Sequence, residues 1–417
     1  MGGIFMLNQS IFSNQLYGLL IKNLRQTHQL SLTDLSKKVY LNPSTISRLE
    51  TNPNSSYDKY ESIFTYFNID RKFIDKAENE LSSAFIQFMQ AIIDISPDVT
   101  KCYLNLQNNF KEYKNSIFSF IFDLSDFIYS YFERNYTTLN YQPFLNSIDL
   151  LLDEYQAYVY IYIAQYLEFR KNMDEALKYF DKAKQKSQEN KQVQAFYYYM
   201  ISRYFLNKNN TIKSLIYAEK STNLFLELQN FNRLINLNIR KGNQYRNIHN
   251  YTYALQIDLT TLSKINNFPH LNLEKKVLLN NIAWTYILME NYEDALKYLE
   301  LIDSTKRSYN QYVEMVTCLI MLKKYDLALK ICNEGLTITK GKKIDFEFLQ
   351  WFKNYLQDKQ SKKLLVKYRN IYENYKYQLS NLDATHFLKI LMQFYIEQKS
   401  YKNAANIALE IMKLQNN

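Results

Sequence analysis

The nine residues NMDEALKYF at 172–180 return as NYEDALKYL at 291–299 and, more loosely, as KYDLALKIC at 324–332. A phrase recurring at long, similar intervals constrains a chain strongly. Each copy must build the same local unit and bury its apolar face on the next. Taking the Ala of each phrase as an anchor gives Ala176, Ala295 and Ala328. Weaker copies place anchors at Ser214, Ala254, Leu365 and Ala404, so successive intervals are 38, 40, 41, 33, 37 and 39 residues.

Composition decides what the units are made of. Only 6 Gly and 5 Pro occur in 417 residues, whereas strands and tight turns consume both. The units are therefore helices joined by short polar loops. A hydrophobic content of 47% supports a large core, and the 38 Tyr and 26 Phe must mostly pack between helices. The length implies two or more folding units.

The remaining positions of each unit follow by offset. Twelve residues before the anchor a small side chain lets two helices approach, and Ala164, Ser202, Gly242 and Ala283 stand there. Nine before it, Leu167, Phe205, Tyr245 and Tyr286 can fill the space between units. Four after it come Phe180, Ala218, Asp258 and Leu299, of which Asp258 fits poorly. The pattern resembles the tetratricopeptide repeat, clear from about 155 to 335 and degenerate beyond. The Pro that closes each unit in that family is missing, since only Pro269 lies past residue 150. Longer, unkinked helices are expected.

A solenoid presents a concave face lined by the first helix of each unit. Offsets on that face give Tyr158, Gln165 and Glu168, then Tyr199, Arg203 and Asn207. Later units give Asn236, Asn243, Arg246 and Asn247, then Asn280 and Trp284, then Asn310. Asn carries both a donor and an acceptor, matching the C=O and N–H of an extended peptide. These residues are the candidate peptide-binding set, with Arg203 or Arg246 pairing a peptide carboxylate.

The start of the chain reads differently. QLYGLLIKNLRQTHQL places Leu16, Leu20, Ile21 and Leu24 at helical spacing. Ser31-Leu-Thr-Asp34 forms a capping-box-like start for a second helix bearing Leu35 and Val39. Asn42 then caps a third, with Pro43 at its first position. Two short helices, the second carrying small polar groups and an Arg, make a helix-turn-helix pattern suited to the major groove. The run from LSLTDLSKK through STISRLE, the loop with Pro53 and the helix carrying Tyr60, Ile63, Phe64 and Phe67 resembles the Cro/repressor-type (XRE) family. That resemblance implies that Pro43, Ser44 and Arg48 face bases. It puts Asn42, Thr45 and Ser47 near phosphates or neighbouring bases, with Glu50 structural. Tyr40 stands where the family usually has Gly, Ser36 where it has Ala, and Leu32 where a polar residue is common.

The expected fold is all-α: a Cro/repressor-type helix-turn-helix followed by a tetratricopeptide-like α-solenoid. The expected domains are 1–75 for DNA binding, 76–150 as linker helix and irregular helical unit, and 151–417 for the repeats. This combination resembles the peptide-responsive quorum-sensing regulators that include Rgg, PlcR, PrgX, NprR and AimR, with length favouring the larger layouts. The resemblance implies a cytoplasmic homodimer that binds a double-stranded DNA operator. A short signalling oligopeptide in the repeats would modulate that binding. Its alternative is the behaviour of the related Rap proteins, in which the repeats sequester a signalling protein and DNA binding is secondary.

Other classes find no support. His28, His249, His270 and His386 are scattered without ligand spacing, and no phosphate-cradling or nucleophile-elbow motif occurs, so neither an enzyme nor a cofactor is expected. Cys102, Cys318 and Cys332 read as reduced thiols. The net charge of +10, with 51 basic and 41 acidic residues, is diffuse and reads as a solvated basic surface. No signal peptide is read in MGGIFMLNQSIF, and residues 116–132, interrupted by Asp123 and Asp126, read as a packed helix rather than a membrane span.

Overall fold

The computed structural model describes residues 10–51, 57–137, 139–338, 342–358 and 361–415. The loop around Pro53 and the opening residues 1–9 lie outside the described residues. Among those described, the regular elements are helices, and β-type pairing is limited to an isolated antiparallel bridge between Phe12 and Leu151. The chain divides into two compact units, Met1–Leu237 and Asn238–Asn417.

The first unit begins with α1 (Leu16–Thr27), α2 (Leu32–Val39), α3 (Pro43–Thr51) and α4 (Glu61–Tyr66). Ser31 opens α2 with a full capping box: the Asp34 N–H donates to Ser31 Oγ at 3.0 Å, and the Ser31 N–H donates to Asp34 Oδ2 at 3.1 Å. Tyr40 ends α2 in the left-handed region at φ 56°, with its side chain 94% exposed. The Asn42 carbonyl accepts the first helical bonds of α3, from Thr45 and Ile46. Leu20, Ile21, Leu35, Ile46, Leu49, Ile63 and Phe64 close the small core beneath. Arg25 then forks onto Glu50, Nε to Oε1 at 2.6 Å and Nη2 to Oε2 at 2.9 Å. That fork ties the end of α3 to α1, and Arg25 also donates to the Leu30 carbonyl at 3.0 Å, ahead of α2. Glu50 is thus a buried structural group.

Residues 10–13, in which the sequence showed no element, fasten this head to the rest of the unit. The Ile11 N–H donates to Ser82 Oγ at 3.1 Å, the Ser13 N–H to the Leu150 carbonyl at 2.8 Å, and the Leu152 N–H to the Ile11 carbonyl at 2.8 Å. Between them the Phe12 ring is buried edge-on against Phe118, 5.4 Å between centroids. Tyr17 donates to Asp75 at 2.8 Å and Asn23 to Ser147 at 3.1 Å. Next come α5 (Arg71–Asp94), α6 (Val99–Asn109), α7 (Ser119–Phe132) and α8 (Gln142–Leu145). The apolar run at 116–132 becomes the packed helix α7, burying Phe120, Ile121, Leu124 and Phe127. No described helix is long and apolar enough to cross a membrane.

Seven helix pairs follow, each second helix carrying an anchor. They are α9 (Asp153–Phe169) with α10 (Met173–Lys186), α11 (Lys191–Asn207) with α12 (Thr211–Glu227), and α13 (Phe231–Asn247) with α14 (Tyr251–Ile265). Then come α15 (Asn272–Leu288) with α16 (Tyr292–Glu300), and α17 (Tyr309–Met321) with α18 (Tyr325–Leu336). Last are α19 (Lys343–Gln357) with α20 (Lys362–Tyr375), and α21 (Asn381–Glu397) with α22 (Tyr401–Gln415). The fold is all-α and tetratricopeptide-like, as the spacing predicts. Anchors Ala176, Ser214, Ala254, Ala295 and Ala328 have no exposed surface, and Leu365 and Ala404 stay at 2% and 6%. The aromatic offsets also pack as expected: Phe205 stacks on Tyr217 and Tyr286 on Tyr298.

The misfit at Asp258 has a physical reason. Its carboxylate is fully buried and pairs with Arg246, which also donates to Thr285 Oγ1 at 2.9 Å and bonds Asn243 Oδ1. Gly242 makes room: a Cβ there would lie 3.0 Å from Asp258 Cγ. A buried ion pair takes the place of the apolar contact that the repeat pattern would put there.

Candidate functional site

On α3 the buried side chains Ile46 and Leu49 turn one face inward, so the opposite face is polar by default. Asn42, Pro43, Ser44, Ser47 and Arg48 are exposed and Thr45 is half-buried. The Glu50 fork fixes this helix, while the Arg48 guanidinium is bound by no group among the described residues. The surface can donate and accept hydrogen bonds at groove edges.

In the first unit the residues assigned to a peptide groove meet the chain's own helices. Gln165 is fully buried, and neither of its amide atoms has a hydrogen-bond partner among the described residues. Arg203 donates to the Tyr131 hydroxyl of α7 at 2.7 Å and lies 3.5 Å from Glu168 Oε1, and Asn207 donates to the same Glu168 oxygen. Burial pushes the Tyr131 hydroxyl up, and the Arg203 charge opposes that shift. Tyr199 is buried, with the Arg233 guanidinium 5.3 Å from its ring centroid. Arg233 itself donates to the Ile92 and Ile93 carbonyls at 2.5 Å, capping the end of α5. Asn236 is half-buried.

In the second unit Arg246 and Asn243 belong to the buried pair with Asp258, and Asn247 is exposed. Asn280, Trp284 and Asn310 come together. They line a cleft of about 480 Å³ whose other walls include Glu314, Asp345 and His386. Gln311 donates to Asn280 Oδ1 at 2.6 Å, and Ser308 donates to Asn310 Oδ1 at 2.5 Å, so both Asn side chains are oriented. Trp284 meets the His386 ring edge-on at 4.8 Å. Burial pushes the Glu314 carboxyl well above its usual range, with Asp345 adding to the effect. Burial also pushes Asp345 up to about 6, against the pull of Lys342. Burial first, then Lys389, holds the His386 imidazole down at about 3, so it is neutral.

His386 also lines a second cleft of about 660 Å³, shared with His249, Glu290, Tyr292, Lys389 and Gln393. Lys389 Nζ there reaches Glu290 Oε1 at 3.0 Å. In the sequence His386 is one of four scattered histidines. The offsets of eighteen, fifteen and eleven, carried to the last anchor Ala404, arrive at His386, Lys389 and Gln393. Glu314, fourteen before Ala328, sits one residue off an offset used. Among the described residues no cluster of His, Cys, Asp and Glu could hold a metal ion.

No protein-family profile and no curated protein matches the chain. Solved structures do. A Rap protein complexed with Competence and Sporulation Factor aligns over 81% of this chain and 98% of its own, with 12% identity and a TM-score of 0.62. The apo form of the quorum sensor NprR from B. thuringiensis aligns over 81% and 99%, with 15% identity and a TM-score of 0.62. NprR in complex with its cognate peptide NprX aligns over 82% and 99%, with 15% identity and a TM-score of 0.56. At these identities the likeness is one of fold.

Proposed function

We propose that this protein is a sequence-specific, DNA-binding transcriptional regulator whose repeats bind a short signalling oligopeptide that modulates the DNA-binding head. One observation carries the reading. Asn280, Trp284 and Asn310, chosen from repeat offsets alone, line one cleft, and their amides are held in place by Gln311 and Ser308. Two of the similar structures are complexes, one with Competence and Sporulation Factor and one with the cognate peptide NprX, which supports a peptide ligand here. The exposed polar face of α3, with Arg48 at its centre, supports contact with a double-stranded operator. The regulator acts in the cytoplasm as a homodimer, placing two heads on a two-fold-related site.

Fluorescence anisotropy of full-length protein on genomic operator fragments, with and without candidate peptides, tests this. Specific binding whose affinity changes with peptide is expected. The likeness to a Rap protein over 98% of that chain favours a second reading, in which the repeats sequester a signalling protein. Peptide binding with no specific DNA binding would put that reading first.

A further inference from the structure

Where the head meets the helices that follow it, the seam is not fully closed. A cleft of about 890 Å³ lies between the second half of α1, the turn from α4 to α5, the stretch ahead of α7, and α8. Small-molecule sites are clefts of about 300–1,000 Å³, and junctions between packed bodies are where they form most often. Leu20, Leu24, Phe73, Ile117 and Phe120 give this one an apolar floor. Leu20 and Phe120 are buried and the other three half-buried. Phe67 supplies an aromatic wall, with the His28 ring tilted against it at 5.2 Å.

The polar lining narrows the class of ligand. Asp, Glu, Lys and Arg make up 22% of the chain, yet Asp70 is the only one of them in the cleft. Its carboxylate already accepts the Lys72 N–H at 3.2 Å, capping α5. A phosphate or carboxylate ligand would lose its hydration there and gain no counter-charge. The rim is made instead of carboxamides, those of Asn23, Asn68, Asn115 and Asn146. Asn23 is engaged, donating across the seam to Ser147 Oγ at 3.1 Å. Asn68, Asn115 and Asn146 are exposed, and their side chains have no hydrogen-bond partner among the described residues. Each offers a donor and an acceptor side by side, next to aromatic surface on which a planar ring can stack.

We propose that this seam cleft binds an uncharged small molecule: a planar heteroaromatic ring with amide-type donors and acceptors on one edge and an apolar opposite edge. Bound there, it touches α1 and α8 at once and braces the head against the helices behind it. None of the lining residues belongs to the second unit, so the site stands whether or not the repeats take a peptide.

The test screens full-length protein by saturation-transfer NMR against two matched libraries, uncharged bicyclic and tricyclic heteroaromatics and the same rings carrying a carboxylate. Binders from the uncharged set are expected. With the tightest of them, hydrogen–deuterium exchange should slow in α1 and α8 together. Asn115→Ala with Asn146→Ala, both at exposed positions, should weaken that compound about tenfold through the loss of two ordinary hydrogen bonds. Asn146→Arg should weaken it as well and admit the carboxylate set. The exchange map locates the compound even if a variant fails to fold. Binders from the carboxylate set alone, no binder from either set, or protection that leaves α1 and α8 unchanged overturns the proposal. So does unaltered affinity in a double variant that melts as the wild type does.

Discussion

Gly242→Ala probes the buried pair between α13 and α14. A Cβ at 242 would stand 3.0 Å from Asp258 Cγ and 3.1 Å from Oδ2, so the carboxylate must move. Asp258 has no exposed surface and Arg246 has 2%, so moving one pulls it off the other. Crowding of this kind costs about 1–3 kcal/mol, and weakening a hydrogen bond to a charged group costs about 1.5–3 kcal/mol. The preference of helices for Ala over Gly returns about 1 kcal/mol. The net expectation is a loss of about 1.5–5 kcal/mol. Asp258→Ala alone should cost about 3–5 kcal/mol, because it strands the Arg246 charge in the interior. In that background the obstacle is gone, and Gly242→Ala should stabilise by about 1 kcal/mol. Urea unfolding read by tryptophan fluorescence measures all four proteins of the cycle, since both Trp residues, Trp284 and Trp351, lie in the second unit. An equal cost of Gly242→Ala in both backgrounds would refute the reasoning.

Arg48→Ala should weaken specific operator binding by about 1–3 kcal/mol with the melting curve unchanged; unaltered affinity in anisotropy would remove Arg48 from the contact set. Tyr40→Gly should stabilise the head by about 0.5–1 kcal/mol, because relief of a left-handed non-Gly residue outweighs the added freedom of Gly when unfolded; a denaturation midpoint that falls would count against this. Phe12→Ala should cost about 3–5 kcal/mol in the first unit, seen as a lower midpoint in tyrosine near-ultraviolet dichroism.

The repeat architecture was legible because a buried anchor tolerates few side chains, and Ala176, Ala254, Ala295 and Ala328 each hold one helix close to its partner. The helix starts at Ser31 and Pro43 were legible for a similar local reason. Arg246 was assigned to the ligand face because offset places a Cα but not the end of a long side chain. The buried Asp258, twelve residues later, draws its guanidinium inward. Gln165 and Tyr199 are buried, and α7, a helix outside the repeat pattern, supplies the hydroxyl that Arg203 binds. Asp345 and His386 come from the last two helix pairs, whose repeat phrase has decayed, and Glu314 sits one residue off the face offsets of a clear pair, so the offsets reach only His386 of the three.

The pinning of residues 10–13 to Leu150 and Leu152 bears on how the protein is made. A ribosome releases the head first, but Leu150 and Leu152, which hold Ser13 and Ile11, emerge well over a hundred residues later. Until then the α1–α4 core can form while Phe12 stays in water, so the head is held open to chaperones and proteases during synthesis. The nascent chain therefore closes this clamp only once Leu152 is out. A stop or pause before residue 153 would leave the α1–α4 head without the clamp that seats it.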